Sequence, residues 1–288
     1  MEKHMSRTEP TAVDQVGTLY DQMAGFESDN FGGDHNLHFG YWDNPEDTWP
    51  LERAEERFTE LMIEKLRTKS GARVLDVGCG MGTPAIRLAN AINGSVVGVT
   101  VSHEQVKRAG IRATAAGLAD RASFQYADAA DLPFEADSFD AVWALESIIH
   151  MPDRVQVLRE MARVIRPGGR VVLTDFFERA PVPEHKRGAV ERFYENWVMG
   201  PIVRIDDYPG LVREAGLRLV EVSDISEQVM KRTLEGIAER LEQDKKHIDN
   251  TLGAELVDDL DLSNLIEVWE LGYLLVVAEL PGNDITGS

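Results

Sequence analysis

Cysteine is nearly absent: one thiol, Cys79, serves 288 residues. No disulfide framework can form within one chain, and a cytoplasmic setting is the expectation. Positive charge is scarce. The 30 Lys and Arg stand against 50 Asp and Glu, giving a formal net charge of −20 and a pI of about 4.7. Such a field repels phosphate backbones and anionic lipid, which argues against nucleic acid and membrane surfaces as partners. No apolar run approaches the roughly 20 residues of a membrane span, and no charged–apolar–small segment opens the chain. Internal repeats and low-complexity tracts are missing too. What is present is 43% apolar residues, enough over this length for a full α/β domain with an insertion or cap.

From Arg73 onward two kinds of segment alternate. "RVLDVG", "SVVGVTV", "ASFQYADA", "FDAVWALES" and "RVVLTDFF" read as strands. Between them, "TPAIRLANAI" reads as a helix with Pro84 in its first turn, and "SHEQVKRAGIRATAAGL" as a helix with a serine cap. "RVQVLREMARVI" is helical and is expected to stop at a turn, "RPGG". Val- and Ile-rich runs alternating with amphipathic helices predict a mostly parallel sheet covered on both faces. Two regions break the pattern. Residues 1–70 carry an early helix, "AVDQVGTLYDQM", then an aromatic loop and a helix from Leu51 to Arg67. A stretch from about Glu178 to Pro209 interrupts the sheet and carries Phe193, Tyr194 and Trp197. "LVREAGLRLVEVSDIS" resumes a helix and strand, Gly236 to about Glu270 reads as acidic helix, and "GYLLVVAEL" as a last strand.

The most informative stretch is "VLDVGCGMGTP", Val74 to Pro84. Glycines at every second position let a backbone approach a ligand closely. The dinucleotide fingerprint needs a different glycine spacing and a ribose-binding acid about 20 residues on. Here the third glycine, Gly82, arrives one residue early, and Thr100, Val101 and Ser102 stand where that acid belongs. Asp76, directly before the loop, would repel a pyrophosphate and attract a ligand carrying an ammonium and a sulfonium. S-adenosylmethionine is such a ligand.

With "YADAADLPFEADSFDAVWALESIIHMPD" and "LREMARVIRPGGRVVLTDF" following in order, the chain resembles the class I S-adenosylmethionine-dependent methyltransferases. It is most similar to bacterial natural-product enzymes of the sugar O-methyltransferase type. Its "NLHFGYW" element is also similar to sterol and geranyl-diphosphate C-methyltransferases. The resemblance implies a doubly wound, mostly parallel, seven-stranded Rossmann-like α/β sheet. It also implies an N-terminal helical lid over residues 1–70, a cofactor-binding core over 71–178, and remaining strands with substrate-cap helices over 179–288. It assigns Asp76, Gly78 and Gly80 to the methionine end of S-adenosylmethionine, and Asp128 and Ala129 to the adenine. Leu145 falls to the amino group through its backbone, and Thr100 and Gln105 to the ribose. His38 or Tyr41 is a further candidate for cofactor contact.

Methyl transfer to a hydroxyl needs an aligned acceptor and a base. His150 is the natural base, because its ordinary pKa lies near neutrality. Its bland alternative is a cap on the next helix. Asp175 matches the family's acid and is expected to orient His150; Glu146 shares their sheet edge. Ile149 replaces a second histidine of the resembled enzymes. Tyr20, on the expected lid helix, and the aromatics of the insertion could face a cation. The pair His35 and His38 is a weak metal signal, and no metal site is expected.

The favoured reading is O- or N-methylation of a small-molecule natural product by a homo-oligomer. The lid would come from its own or a neighbouring subunit. C-methylation of a prenyl-like alkene through a carbocation, with or without cyclisation, is an alternative. A methyltransferase-like protein that only binds or rearranges its ligand is a third reading, and a nicotinamide oxidoreductase a distant fourth.

Overall fold

The computed structural model describes residues 10–30, 38–252 and 262–282. Helix α1 (Ala12–Asn30) opens it, nucleated by a reciprocal cap. The Thr11 hydroxyl accepts from the Asp14 N–H (3.2 Å), and Asp14 Oδ2 accepts from the Thr11 N–H (3.0 Å). Helix α2 (Leu51–Leu66) follows and ends on Arg67 in the left-handed region. Then the alternation begins: β1 (Arg73–Val77), α3 (Thr83–Ala91), β2 (Ser95–Thr100), α4 (His103–Ala115), β3 (Ala122–Tyr126) and β4 (Phe139–Ala144). After a single 3-10 turn, Ile148–His150, come α5 (Arg154–Val164), β5 (Ile165–Glu178), α6 (Glu184–Asn196) and α7 (Tyr208–Glu214). The elements close with β6 (Arg218–Asp224), α8 (Ser226–Leu252) and β7 (Leu271–Glu279).

The seven strands form one sheet in the order β3-β2-β1-β4-β5-β7-β6. All neighbours are parallel except β7, which runs antiparallel between β5 and β6. This is the expected doubly wound architecture. Successive strand residues serve opposite layers, as the pleat requires. Val74 packs with Phe58, Leu88 and Trp143 on one face, while Leu75 and Val77 pack with Leu158, Met161 and Val212 on the other. Strand order reverses between β1 and β4, so the loops after these strands diverge and leave a crevice.

Two local expectations are corrected. "RPGG" is not a free turn between helix and strand. The ladder with β4 jumps from Phe139↔Ile165 to Ala141↔Arg170, so these residues form a bulge inside β5. Leu280 holds the bulge through hydrogen bonds to Gly168 and Gly169. Helix α8 starts at Ser226, ten residues before the expected acidic helix, because Val229, Met230 and Leu234 pack it onto the sheet. Residues 253–261, in the expected acidic helix, lie outside the described residues.

Candidate active site

The crevice opens into a cavity of about 330 Å³, walled by the loops after β1 to β4, by α1 and by α6. The glycine loop forms its floor. Gly78, Gly80 and Gly82 all have positive φ, at 79°, 51° and 83°. A Cβ on Gly78 would lie 2.0 Å from Ser147 Cβ, whereas one on Gly80 would meet nothing within 4 Å. The first glycine is therefore needed for packing, and the second keeps an open cradle.

Asp76 lines the same cavity and is 3% exposed. Burial pushes its pKa up to about 7, with only the nearby Trp143 indole pulling the other way. No basic side chain pairs with it among the described residues. A cationic ligand against this carboxylate would restore its charged form, which fits the ammonium end of S-adenosylmethionine. Thr100 and Gln105 are buried on the next wall, with Thr100 Oγ1 donating to Gln105 Oε1 at 2.7 Å. Asp128 and Ala129 follow, where Asp128 Oδ1 accepts from the Ala130 N–H at 2.9 Å. Leu145 completes this polar half. The residues expected to hold the cofactor are thus brought together, Tyr41 excepted.

Tyr41 does not line the cavity. It stacks on Phe58, ring centroids 5.9 Å apart, because its backbone pairs with Ala54 on α2 and turns the ring into the core. His38 does reach the wall. Its Nδ1 faces the Phe39 carbonyl at 2.9 Å and its Nε2 the Thr59 hydroxyl at 3.1 Å. A carbonyl only accepts, so Nδ1 carries the proton and Nε2 accepts. Burial lowers the pKa of His38 to about 4. His35 lies outside the described residues, and among those described no group of three His, Cys, Asp or Glu side chains could hold a metal.

The other half of the cavity is apolar, walled by Met23, Phe176, Phe193, Trp197, Met199 and Leu262. His150 stands between the halves and is 6% exposed. Its Nδ1 lies 3.2 Å from the Val198 carbonyl and its Nε2 2.9 Å from the Tyr20 hydroxyl. The carbonyl again fixes the tautomer: Nδ1–H donates, and the Nε2 lone pair accepts from the Tyr20 hydroxyl. Burial lowers the pKa to about 4, so the ring is neutral near pH 7. It does not cap the next helix. Asp153 does that, accepting from the Gln156 N–H at 2.9 Å.

Asp175 is not the partner of His150, contrary to expectation. Fully buried, it binds Arg154 through two contacts, 2.6 Å to Nε and 3.2 Å to Nη2, and accepts from the Tyr208 hydroxyl at 2.6 Å. A guanidinium satisfies a buried carboxylate better than a neutral imidazole can. Arg154 in turn donates to the Pro201 carbonyl at 2.9 Å, so the pair fixes the segment after α6 beneath His150. Glu146, at φ 53°, lines the cavity and also serves as a strut. Its Oε1 accepts from the Phe39 N–H (2.7 Å) and the Tyr273 hydroxyl (2.6 Å), tying the N-terminal segment to β7. Burial raises its pKa to about 7.

Sequence reasoning missed Arg154, Ser147 and Tyr273. The Ser147 hydroxyl donates to the Val77 carbonyl and braces the glycine loop from β4. A short polar residue at the end of β4, beside three glycines, was the available signal. Arg154 and Tyr273 gave none.

A family description for a methyltransferase domain matches residues 74–169. Over 284 residues, 95% of this chain and 99% of the relative, the chain is 40% identical to the 27-O-demethylrifamycin SV methyltransferase of Amycolatopsis mediterranei. Over 214 residues, 74% of this chain and 76% of the relative, it is 46% identical to methyltransferase GfsG of Streptomyces halstedii. Its fold matches that of the [4+2]-cyclase SpnF with a TM-score of 0.82 and 29% identity, covering 95% of this chain and 98% of the other. With the glycine cradle, the unpaired buried acid and these relatives together, the chain belongs to the S-adenosylmethionine-dependent methyltransferases and uses S-adenosylmethionine as its cofactor.

Proposed function

We propose that this enzyme methylates a hydroxyl oxygen on a small-molecule natural product with an apolar face, with His150 as general base. One observation carries the reading: a neutral imidazole whose Nδ1–H is held by Val198, so that Nε2 accepts from the Tyr20 hydroxyl between a polar and an apolar half-cavity. S-adenosylmethionine, when bound, supplies an electrophilic methyl group. Asp76, Gly78, Gly80 and the Leu145 backbone hold its methionine end, Thr100 and Gln105 its ribose, and Asp128 and Ala129 its adenine. The apolar wall orients the acceptor and excludes water, and as the new bond forms the acceptor's hydroxyl proton passes to the Tyr20 oxygen while Tyr20 hands its own proton to His150 Nε2. Tyr20 closes the site from above. Asp175, with Arg154, and Glu146 support it from outside the reacting atoms.

Relatives named for methylation, one for a 27-O-demethyl compound, favour oxygen over the carbon and rearrangement alternatives. The test is incubation with methyl-labelled S-adenosylmethionine and 27-O-demethylrifamycin SV as first acceptor, then a panel of hydroxylated polyketides. Label appearing as an O-methyl ether supports the proposal; label on carbon, or rearranged product without label, refutes it.

No helix among the described residues is long and apolar enough to cross a membrane. Cytoplasmic placement, supported by the single cysteine, and a homo-oligomeric state are part of the same proposal. Fractionation and light scattering at micromolar concentration test them.

A further inference from the structure

Helix α1 reaches His150 through Tyr20, and the adjacent residue, Asp21, determines where that helix sits. Asp21 Oδ1 accepts from the Ser102 hydroxyl at 2.5 Å and from the Glu104 N–H at 3.1 Å. Ser102 is fully buried, and its oxygen also accepts from the Gln105 N–H at 3.1 Å, capping α4. One hydroxyl therefore joins the helix that carries Gln105 to the helix that carries Tyr20. One turn earlier, α1 lies directly on the same loop. A Cβ on Gly17 would come within 2.5 Å of the Val101 carbonyl oxygen, a distance only glycine permits. Val16 and Met23 bury themselves on the cavity side of this seam.

The chain of contacts is continuous from Thr100 and Gln105 through Ser102, Asp21 and Tyr20 to His150. We propose that Asp21 is a positioning residue: it latches α1 onto the cofactor loop, so that a ligand holding that loop also steadies Tyr20 against His150. The consequence is a coupling of the two half-cavities: cofactor on the loop firms the α1 wall of the acceptor half. The inference rests on the cofactor placement proposed above.

The test needs no acceptor. Amide hydrogen exchange is followed for residues 12–23 and 76–82 of the full chain, with and without S-adenosylhomocysteine. In the wild type, the ligand should slow exchange in both segments. In Asp21→Ala the loop should remain protected, while α1 exchanges about tenfold faster or more, the loss expected for a charge-assisted bond. Asp21→Asn keeps an oxygen that can accept both bonds and should restore protection. His150 gives a second readout. The groups facing it are Tyr20 from α1, the Trp197 and Val198 backbone after α6, and Arg154 with Asp175 behind it. Its titration, seen by NMR of the ring protons, should move from about 4 toward the ordinary histidine range in Asp21→Ala, and stay low in Asp21→Asn.

Protection of α1 that is equal with and without S-adenosylhomocysteine overturns the proposal. So does Asp21→Ala behaving as wild type, or Asp21→Asn behaving as Asp21→Ala. If the ligand slows exchange in neither segment of the wild type, the cofactor placement itself is wrong, and the latch falls with it. Protection of the loop without α1 removes the latch alone.

Discussion

Tyr20 and His150, 130 positions apart, meet through a 2.9 Å hydrogen bond with their rings edge to face. The contact joins a surface helix to the proposed base.

A general base must be neutral, and burial holds the His150 pKa near 4 rather than 6.5. The sign follows: turnover is full above this value and falls as pH drops through it. The acid limb of kcat should sit near pH 4, well below an ordinary histidine. His150→Ala should lose about 10²–10⁴-fold in kcat with S-adenosylhomocysteine affinity kept. A limb near 6.5 in the wild type, or a variant of undiminished rate, refutes the assignment.

Asp76→Asn should separate stability from binding. The folded pKa of Asp76 is raised to about 7, so the native state loses stability as pH rises from about 4 to 7. Removing the ionisable group should stabilise the unliganded protein at pH 8 by about 2–4 kcal/mol. Cofactor affinity should collapse in the same variant. Urea titration and calorimetry with S-adenosylmethionine measure the two effects.

The glycines should fail differently. Gly78→Ala drives a Cβ into Ser147 at a φ of 79° and should unfold the loop, lowering the melting temperature and affinity together. Gly80→Ala meets no atom, so its stability cost is that of a left-handed backbone, about 1–2 kcal/mol, while cofactor affinity falls more steeply. Equal stability losses in the two variants would show that Gly80 is packed rather than open.

Asp175→Ala strands the Arg154 guanidinium in the core and should cost about 3–5 kcal/mol in urea titration. The acid limb of the rate profile should not move, because His150 is held by Val198 and not by this acid. A shifted limb would return Asp175 to the base.

Glu146→Gln probes proton balance. Between about pH 4.5 and 6.5 the folded state retains protons on Asp76 and Glu146 and withholds them from His38 and His150, so the four contributions to pH-dependence nearly cancel. Glutamine keeps the oxygen for Phe39 and Tyr273 but removes one retained proton. Unfolding free energy should then gain a slope of about +1.4 kcal/mol per pH unit relative to wild type in this window. Parallel curves for the two proteins would contradict a raised Glu146 pKa.

The readable features were those whose causes lie close together along the chain. The β1 run, the three glycines and Pro84 declare a strand, a cradle and a helix start within 11 residues, and Ser102 declares its cap three residues before Gln105. The cofactor half of the cavity was legible for that reason. The acceptor half was not. His150 is held by the backbone carbonyl of Val198, 48 positions away, and a carbonyl has no sequence signature. Asp175 was assigned to the nearest imidazole by resemblance. Its true partner, Arg154, looked like one more basic residue on an amphipathic helix. The "RPGG" bulge was misread because its pairing comes from Leu280, more than 100 residues further on.

Strand β7, which slots antiparallel between two strands made before it, has a consequence for synthesis on the ribosome. Until Leu271–Glu279 emerges, β5 and β6 have no shared neighbour, and Glu146 lacks the Tyr273 hydroxyl that anchors it. A nascent chain halted before Leu271 presents two bare strand edges, the surfaces that chaperones and proteases engage. This half of the sheet can therefore close only after Leu271–Glu279 has been made.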